Sequence, residues 1–298
     1  MINSSKEFIE TLKARCSIIK KIREFFDNSG YIEVETPLVV PFPSIDAFID
    51  PVEVGNTGYL ITSPEMEMKI LMGKGVDKIY QITHAFRDGE RGKWHSMEFT
   101  MLEWYRAGAD YIDMMDETFR LISYVSTCTK KQVPPSFERI RIRDIFMNKA
   151  GWDPILKWDE ERFFRDLVEK IEPSLEVAGG VFLYDFPVQT CPMARASNSH
   201  PHVLERFELY LGGIEIANGY TELIDPEIQN SQMVKENERR KKMGKKSYPV
   251  NNFFIEALKH GLPQCAGTAL GIDRLIAYLL DKDGIRDVIT FKEYNEMY

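Results

Sequence analysis

Cysteine is scarce in this chain: Cys16, Cys128, Cys191 and Cys265 lie far apart, with no Cys-x-x-Cys pair. Such spacing supplies neither a zinc ligand set nor a redox couple, and isolated thiols fit a reducing cytoplasm better than a disulfide scaffold. No apolar run approaches the roughly 20 residues that span a bilayer, so no membrane partner is expected. The N-terminus, MINSSKEFIETLK, becomes charged and helical at once and lacks the apolar centre of a signal peptide. A basic surplus is also missing, since the net charge is -8 and the sequence pI about 5.4. Proteins that bind nucleic acid through its phosphates usually carry one, so the composition weighs against a nucleic-acid partner. The one dense basic run, residues 239–246 (RRKKMGKK), reads in two ways. It is either a solvated helix end and loop, or a contact for an acidic protein or an RNA backbone. Internal repeats and low-complexity segments are absent.

What remains is an ordinary globular mixture, 44% hydrophobic and 28% charged over 298 residues, with ample length for a core. Phe8, Ile9, Leu12, Ile18, Ile19, Ile22, Phe25 and Phe26 recur mostly at three- and four-residue spacings and predict an amphipathic helix over residues 6–29. Residues 31–40 read as extended chain at a sheet edge, because Pro37 has no ladder donor. Residues 62–65, TSPE, open a helix with a hydroxyl cap and Pro64 in its first turn. Strands are expected over 78–86, 97–105 and 181–188, and a hairpin over 207–223 turning at Gly212-Gly213. Helices are expected over 111–126, 159–171, 226–243, 252–260 and 272–280, with a short strand leading into a helix across 137–145. Hairpin strands with helices set apart predict an α+β fold with a mainly antiparallel sheet, not a doubly wound parallel one.

Residues 86–105, FRDGERGKWHSMEFTMLEWY, form a strand, a charged turn and an aromatic-rich strand. That arrangement makes a floor for a nucleotide, with Arg87 reaching a phosphate through its planar, permanently charged fork. Glu208, Glu215 and Glu222 are spaced by sevens. A two-residue turn at Gly212-Gly213 places Tyr210 opposite Glu215 and Glu208 diagonal to it on one face. Two carboxylates on one face repel unless a cation lies between them, so the pair is either a magnesium site or a solvated polar face. A bulge at Asn218-Gly219 leaves the direction of Glu222 open. Glu65 either faces a substrate amine or only stabilises its helix N-terminus, worth about 0.3–1 kcal/mol. Tyr105 either offers its hydroxyl or packs, and Phe99 either stacks on a base or is core.

These segments together resemble the class II aminoacyl-tRNA synthetases. The helix and proline-containing strand resemble motif 1, residues 86–105 resemble motif 2, and residues 267–274 (GTALGIDR) closely resemble motif 3. The strand IEIANGYTELID is similar to that of class II lysyl-tRNA synthetases. The resemblance runs from about residue 6 to residue 291 and implies a class II catalytic domain spanning residues 1–298, working as a homodimer on ATP and Mg²⁺. It implies Arg87 at the α-phosphate and Arg274 at the far end of ATP, with Asp88, Gly89, Glu90, His95, Ser96, Phe99, Ile216 and Gly271 around the nucleotide. Glu208 and Glu215 would serve metal and ATP, while Ser63, Glu65, Tyr105, Glu222 and Ala269 would meet the amino acid. No catalytic Ser, Cys or His is expected, because positioning and electrostatics carry adenylation.

The predicted catalytic helix starts near residue 6, which leaves no room for an anticodon-binding OB-fold domain ahead of it. The chain therefore most resembles the truncated paralogues that ligate lysine, preferably (R)-β-lysine, to a lysine of elongation factor P. Ala269 supports that choice, because lysyl-tRNA synthetases carry glycine there. Two positions depart from the pattern: motif 2 usually reads Arg-Asn-Glu, against Arg87-Asp88-Gly89 with Glu90 one place later, and Ser96 replaces an asparagine. The competing expectations are a stand-alone lysyl-tRNA synthetase-like enzyme and a catalytically silent regulator that binds an amino acid or a protein.

Overall fold

An eight-stranded sheet with two chemically different faces organises the molecule. The computed structural model describes residues 5–176 and 179–291, so the first four residues of the N-terminal stretch lie outside it. Helix α1 (Ser5–Asn28) leads into short strands β1 (Ile32–Glu33), β2 (Val39–Val40), β3 (Glu53–Val54) and β4 (Gly58–Leu60). Helix α2 (Glu65–Met72) precedes the hairpin β5 (Lys78–Phe86) and β6 (Glu98–Ala107), then α3 (Tyr111–Ser126), β7 (Glu138–Arg141) and α4 (Ile142–Lys149). Next come α5 (Glu160–Asp166), a π turn over Leu167–Ile171, α6 (Glu172–Ser174), β8 (Val181–Pro187), β9 (Val203–Leu211) and β10 (Ile214–Thr221). Helices α7 (Pro226–Lys242) and α8 (Asn252–Gly261), strand β11 (Cys265–Gly271) and helix α9 (Ile272–Leu279) follow.

The large sheet runs β1-β5-β6-β11-β10-β9-β8-β7, and β2, β4 and β3 form a second, three-stranded sheet. Only the end pairs of the large sheet, β1 with β5 and β7 with β8, are parallel. The mainly antiparallel α+β expectation therefore holds, and the Pro37 segment lies beside an edge strand as its missing donor required. The expected 159–171 helix differs in its second half. It widens into the π turn just before Pro173, whose ring cannot follow a regular helical turn. Among the described residues, no helix is long and apolar enough to cross a membrane.

Period-two alternation separates the two faces of the sheet. Leu102, Trp104, Phe207 and Leu209 point into a core shared with Ile18, Ile22 and Phe26 of α1, Leu121 of α3 and Leu275 of α9. Fully burying each such side chain contributes about 1.5–3 kcal/mol, which anchors the strands firmly enough to aim their other face. That other face holds Glu103 and Tyr105 of β6, Arg206 and Glu208 of β9, and Asn218 and Tyr220 of β10, all beside a cavity. The hairpin turns at Gly212 and Gly213, with φ of 57° and 77°, as a tight two-residue turn demands.

One register detail corrects the sequence reading. Tyr210 does pair with Glu215, but Leu209 then pairs with Ala217 and Glu208 with Asn218, so Ile216 is the extra residue. The bulge lies there, and Asn218-Gly219 stays in regular register with both neighbouring strands. An odd spacing of seven would turn Glu222 away from Glu215 in a regular strand. The inserted residue reverses that parity and brings Glu208, Glu215 and Glu222 to one side.

Candidate active site

The polar face of the sheet, α2 and a loop over residues 44–49 enclose a cavity of about 360 Å³. Of the residues expected at the site, all but Asp88 and Gly89 line it. Asp88 is exposed, with its backbone N–H donating to Asp50 O at 2.8 Å, and Gly89 forms the turn itself with φ of 75°. The Asp88-Gly89 departure from the motif therefore falls outside the cavity wall, whereas the other, Ser96, lines it.

One end of the cavity is cationic. Arg274, in the first turn of α9, donates from Nε to Trp94 O at 3.0 Å and from NH1 to Glu215 O at 2.9 Å. Its neighbour Asp273 is buried and accepts from Arg15 at 2.6 Å and from the Thr100 backbone N–H at 2.7 Å, which pins α9 to α1 and β6. Arg87 lies 5.0 Å over the Phe99 ring and 3.7 Å from Glu90, and its buried Nε has no hydrogen-bond partner. Phe99 is thus half-buried beneath the guanidinium, at the cavity wall. Burial first, and Arg274 second, hold the His95 imidazole below its ordinary pKa. Gly271 is not demanded by the protein itself, because an added Cβ would meet only the Arg274 side chain at 3.6 Å.

Between the ends lie Glu208 and Glu215. Glu208 accepts from Arg206 at 2.6 Å and from the Tyr210 hydroxyl at 2.7 Å. Burial pushes its carboxyl up to about 7; Arg206 pulls it down and the Glu215 charge pushes it up again. Among the described residues no group of three or more His, Cys, Asp or Glu side chains is arranged to hold a metal. The donor set still fits a hard cation, provided further oxygens come from a bound phosphate.

The other end is lined by carboxyl groups. Glu103 accepts from the Ser63 hydroxyl at 2.7 Å and the Tyr105 hydroxyl at 2.5 Å. Ser63 Oγ also accepts the Glu65 N–H at 3.1 Å, so the expected hydroxyl cap acts from one place further out, with Pro64 at the cap position. Glu65 accepts from the Tyr220 hydroxyl at 2.5 Å and pairs with Lys69 at 2.5 Å. Lys69 also forms an ion pair with Glu222 Oε2, and Glu222 Oε1 has no hydrogen-bond partner among the described residues. Burial is the main force on both deep carboxyls: it pushes Glu222 up to about 8 against the pull of Lys69, and Glu103 up to about 7 with help from Glu65. Gly267 is glycine for a local reason, since an added Cβ would lie 2.3 Å from the Tyr105 ring and 2.9 Å from Glu222 Oε1.

Sequence reasoning missed Lys69, Glu103, Arg206 and Tyr220. Glu103 and Arg206 were within reach, being two residues from Tyr105 and Glu208 on the same strand faces. The basic run is divided: Lys241, Lys242 and Lys246 are exposed, as a solvated helix end and loop would be, and Arg240 is the exception. Arg240 is fully buried, donating to Asp46 O at 2.7 Å and Asp50 Oδ1 at 2.6 Å, and Lys245 meets Asp50 at 2.8 Å. These cations hold the loop that walls the cavity.

Residues 2–295 match the family described as tRNA synthetases class II (D, K and N). A relative from Vibrio cholerae named elongation factor P–(R)-β-lysine ligase is 37% identical over 95% of both chains. Relatives of the same name from Pectobacterium carotovorum and Buchnera aphidicola are 35% and 33% identical, over 95% and 96% of both chains. The 86–105 and 267–274 segments and the strand between Ile214 and Thr221 thus line one cavity, and the chain belongs to the class II tRNA synthetases of the D, K and N type.

Proposed function

We propose that this chain is an ATP-dependent ligase that activates lysine or (R)-β-lysine as an adenylate and transfers it to a lysine of elongation factor P. The observation that carries this reading is a single cavity with arginines at one end and buried carboxyls at the other. A diamino acid has the complementary polarity: a carboxylate to present to ATP and ammonium groups for Glu65, Glu103 and Glu222. The substrate carboxylate would attack the α-phosphorus with loss of pyrophosphate, and the acceptor amine would then attack the carbonyl with loss of AMP. Arg87, with an unpartnered Nε, is suited to the charge that develops at the α-phosphate, and Arg274 to the distal phosphates. Glu208 and Glu215 would hold Mg²⁺ with phosphate oxygens, and the ion would offset polyphosphate charge. His95, held below its ordinary pKa in the empty site, can meet the phosphates as a hydrogen-bond donor.

A protein acceptor is favoured over tRNA by the names of the relatives and by the basic run, much of which is engaged with the protein itself. Such an enzyme would act in the cytoplasm, where translation factors reside and the four free cysteines stay reduced. A homodimer is supported by exposed Ile32 on the edge strand of the large sheet and by exposed Leu38 and Val39 at the edge of the small one, which a second copy would cover. ATP–pyrophosphate exchange with lysine and (R)-β-lysine, followed by mass analysis of elongation factor P and of tRNA, tests the reading. A mass gain on the factor alone is expected. Aminoacylated tRNA without modified factor would favour a stand-alone synthetase, and amino-acid binding without exchange would favour a regulator.

A further inference from the structure

Lys69 is a buried cation that the adenylation chemistry leaves unused. It stands on α2 one turn after Glu65, and its side chain is 1% exposed. Burying an ammonium is costly unless it is well paired and its three N–H donors are met. Here one ammonium lies among three carboxyl groups. Its Nζ is 2.5 Å from Glu65 Oε1 and in contact with Glu222 Oε2, and Glu103 is close enough to feel its charge. The cluster is not closed by this arrangement. Glu222 Oε1 is buried and unpartnered, beside the space that Gly267 keeps free of a side chain.

With all groups ionised, the cluster carries three negative charges and one positive, leaving two negative charges unanswered. We propose that Lys69 is a specificity-determining residue, a built-in ammonium that fills one corner of the carboxyl cluster and leaves places for the two ammonium groups of a diamino acid. This inference rests on the proposed substrate class, and it explains why a site for two ammonium groups contains a cation of its own. Without Lys69, Glu65 and Glu222 would face each other across a void. With no cation between them, the two like charges would repel. The groups facing the ammonium are Glu65 on α2, Glu103 and Tyr105 on β6, Tyr220 and Glu222 on and after β10, and Cys265 on β11.

The test is calorimetric binding of lysine and of norleucine, which has one ammonium, to the wild type and Lys69→Met across pH 6–9. Methionine keeps the length and shape of the stem without the charge. The variant is expected to bind lysine about 100-fold more weakly, with the acidic limb of binding displaced to higher pH and the preference over norleucine reduced. A folded variant with wild-type affinity, preference and pH profile would overturn the proposal. Should Lys69→Met fail to fold, Lys69→Ala titrated with propylammonium answers the same question. The amine replaces the missing atoms, so recovered lysine binding supports the inference and absent recovery defeats it. Binding of lysine to wild type without pyrophosphate exchange would count against the adenylation reading alone. No binding of lysine to wild type would defeat both.

Discussion

At one end of the cavity Arg87 and Arg274 keep 24% and 20% of their side-chain surface in solvent; at the other, Lys69 keeps 1% and Glu222 none. Both ends are ionic, but water shares the load only at the first. A polyphosphate arrives with several charges, and exposed arginines can meet it without paying a full desolvation cost in the empty state. A single ammonium needs a drier partner, because the same charge pair interacts several-fold more strongly at the lower effective dielectric of a buried site. The arginine end is therefore built for strength over several contacts. On the proposed reading the carboxyl end would discriminate, since a substrate lacking the amine would leave buried carboxyls unanswered.

The sharpest way to break this comparison is at Glu222. Glu222→Gln removes a fully buried carboxylate beside Lys69, and the catalytic efficiency of exchange with lysine should fall by about 10³-fold, chiefly through KM. An unchanged KM for lysine would show that discrimination lies elsewhere. At the other end, Arg274→Ala should lower the exchange rate by about 10²-fold while lysine binding, followed by calorimetry, stays within a few-fold. Equal loss of lysine binding would mean that the two ends are not separable.

A pH series separates the ends without mutation. Glu103 and Glu222 hold their protons up to about 7 and about 8 in the empty site, yet they must be ionised to pair with an ammonium. Lysine affinity should therefore rise as pH increases from 6 to 8, by up to about tenfold per unit for each proton released. Protons released on binding can be counted by calorimetry in buffers of different ionisation enthalpy. ATP binding, at the exposed end, should change less over the same range.

The smallest effect is on stability. These carboxyls titrate near 4.5 when unfolded and near 7–8 when folded, so the folded state binds more protons between those values. Their contribution is full below pH 4.5 and declines as pH rises through 8, the reverse of the usual paired carboxylate. The melting temperature of the empty protein should fall by about 5 °C between pH 5 and 8.5, and saturating lysine should flatten that slope. A rise in melting temperature across that window would contradict the assigned direction.

How much of this was legible depended on whether a residue's role is local. Arg87, Arg274 and the Gly212-Gly213 turn stand in short segments whose chemistry and backbone needs are written side by side. Lys69 four residues after Glu65 looks like an exposed helical ion pair, worth only about 0.2–0.5 kcal/mol. Nothing nearby in sequence reveals that Glu222, at a distance in the chain, completes its surroundings. Arg240 in a run of lysines and arginines likewise reads as surface, although the loop at Asp46–Asp50 encloses it.

By itself the sequence determined the elements, the mainly antiparallel sheet, the two arginines and the series of glutamates, because periodicity, turn chemistry and motif spacing act over a few residues. The tertiary structure alone decided which way those residues face. One extra residue at Ile216 turns Glu222 to the side of Glu208 and Glu215, and burial converts an ordinary Glu65–Lys69 pair into part of a selective site. Bulge parity and desolvation both depend on neighbours far along the chain, and so neither can be read from a local pattern.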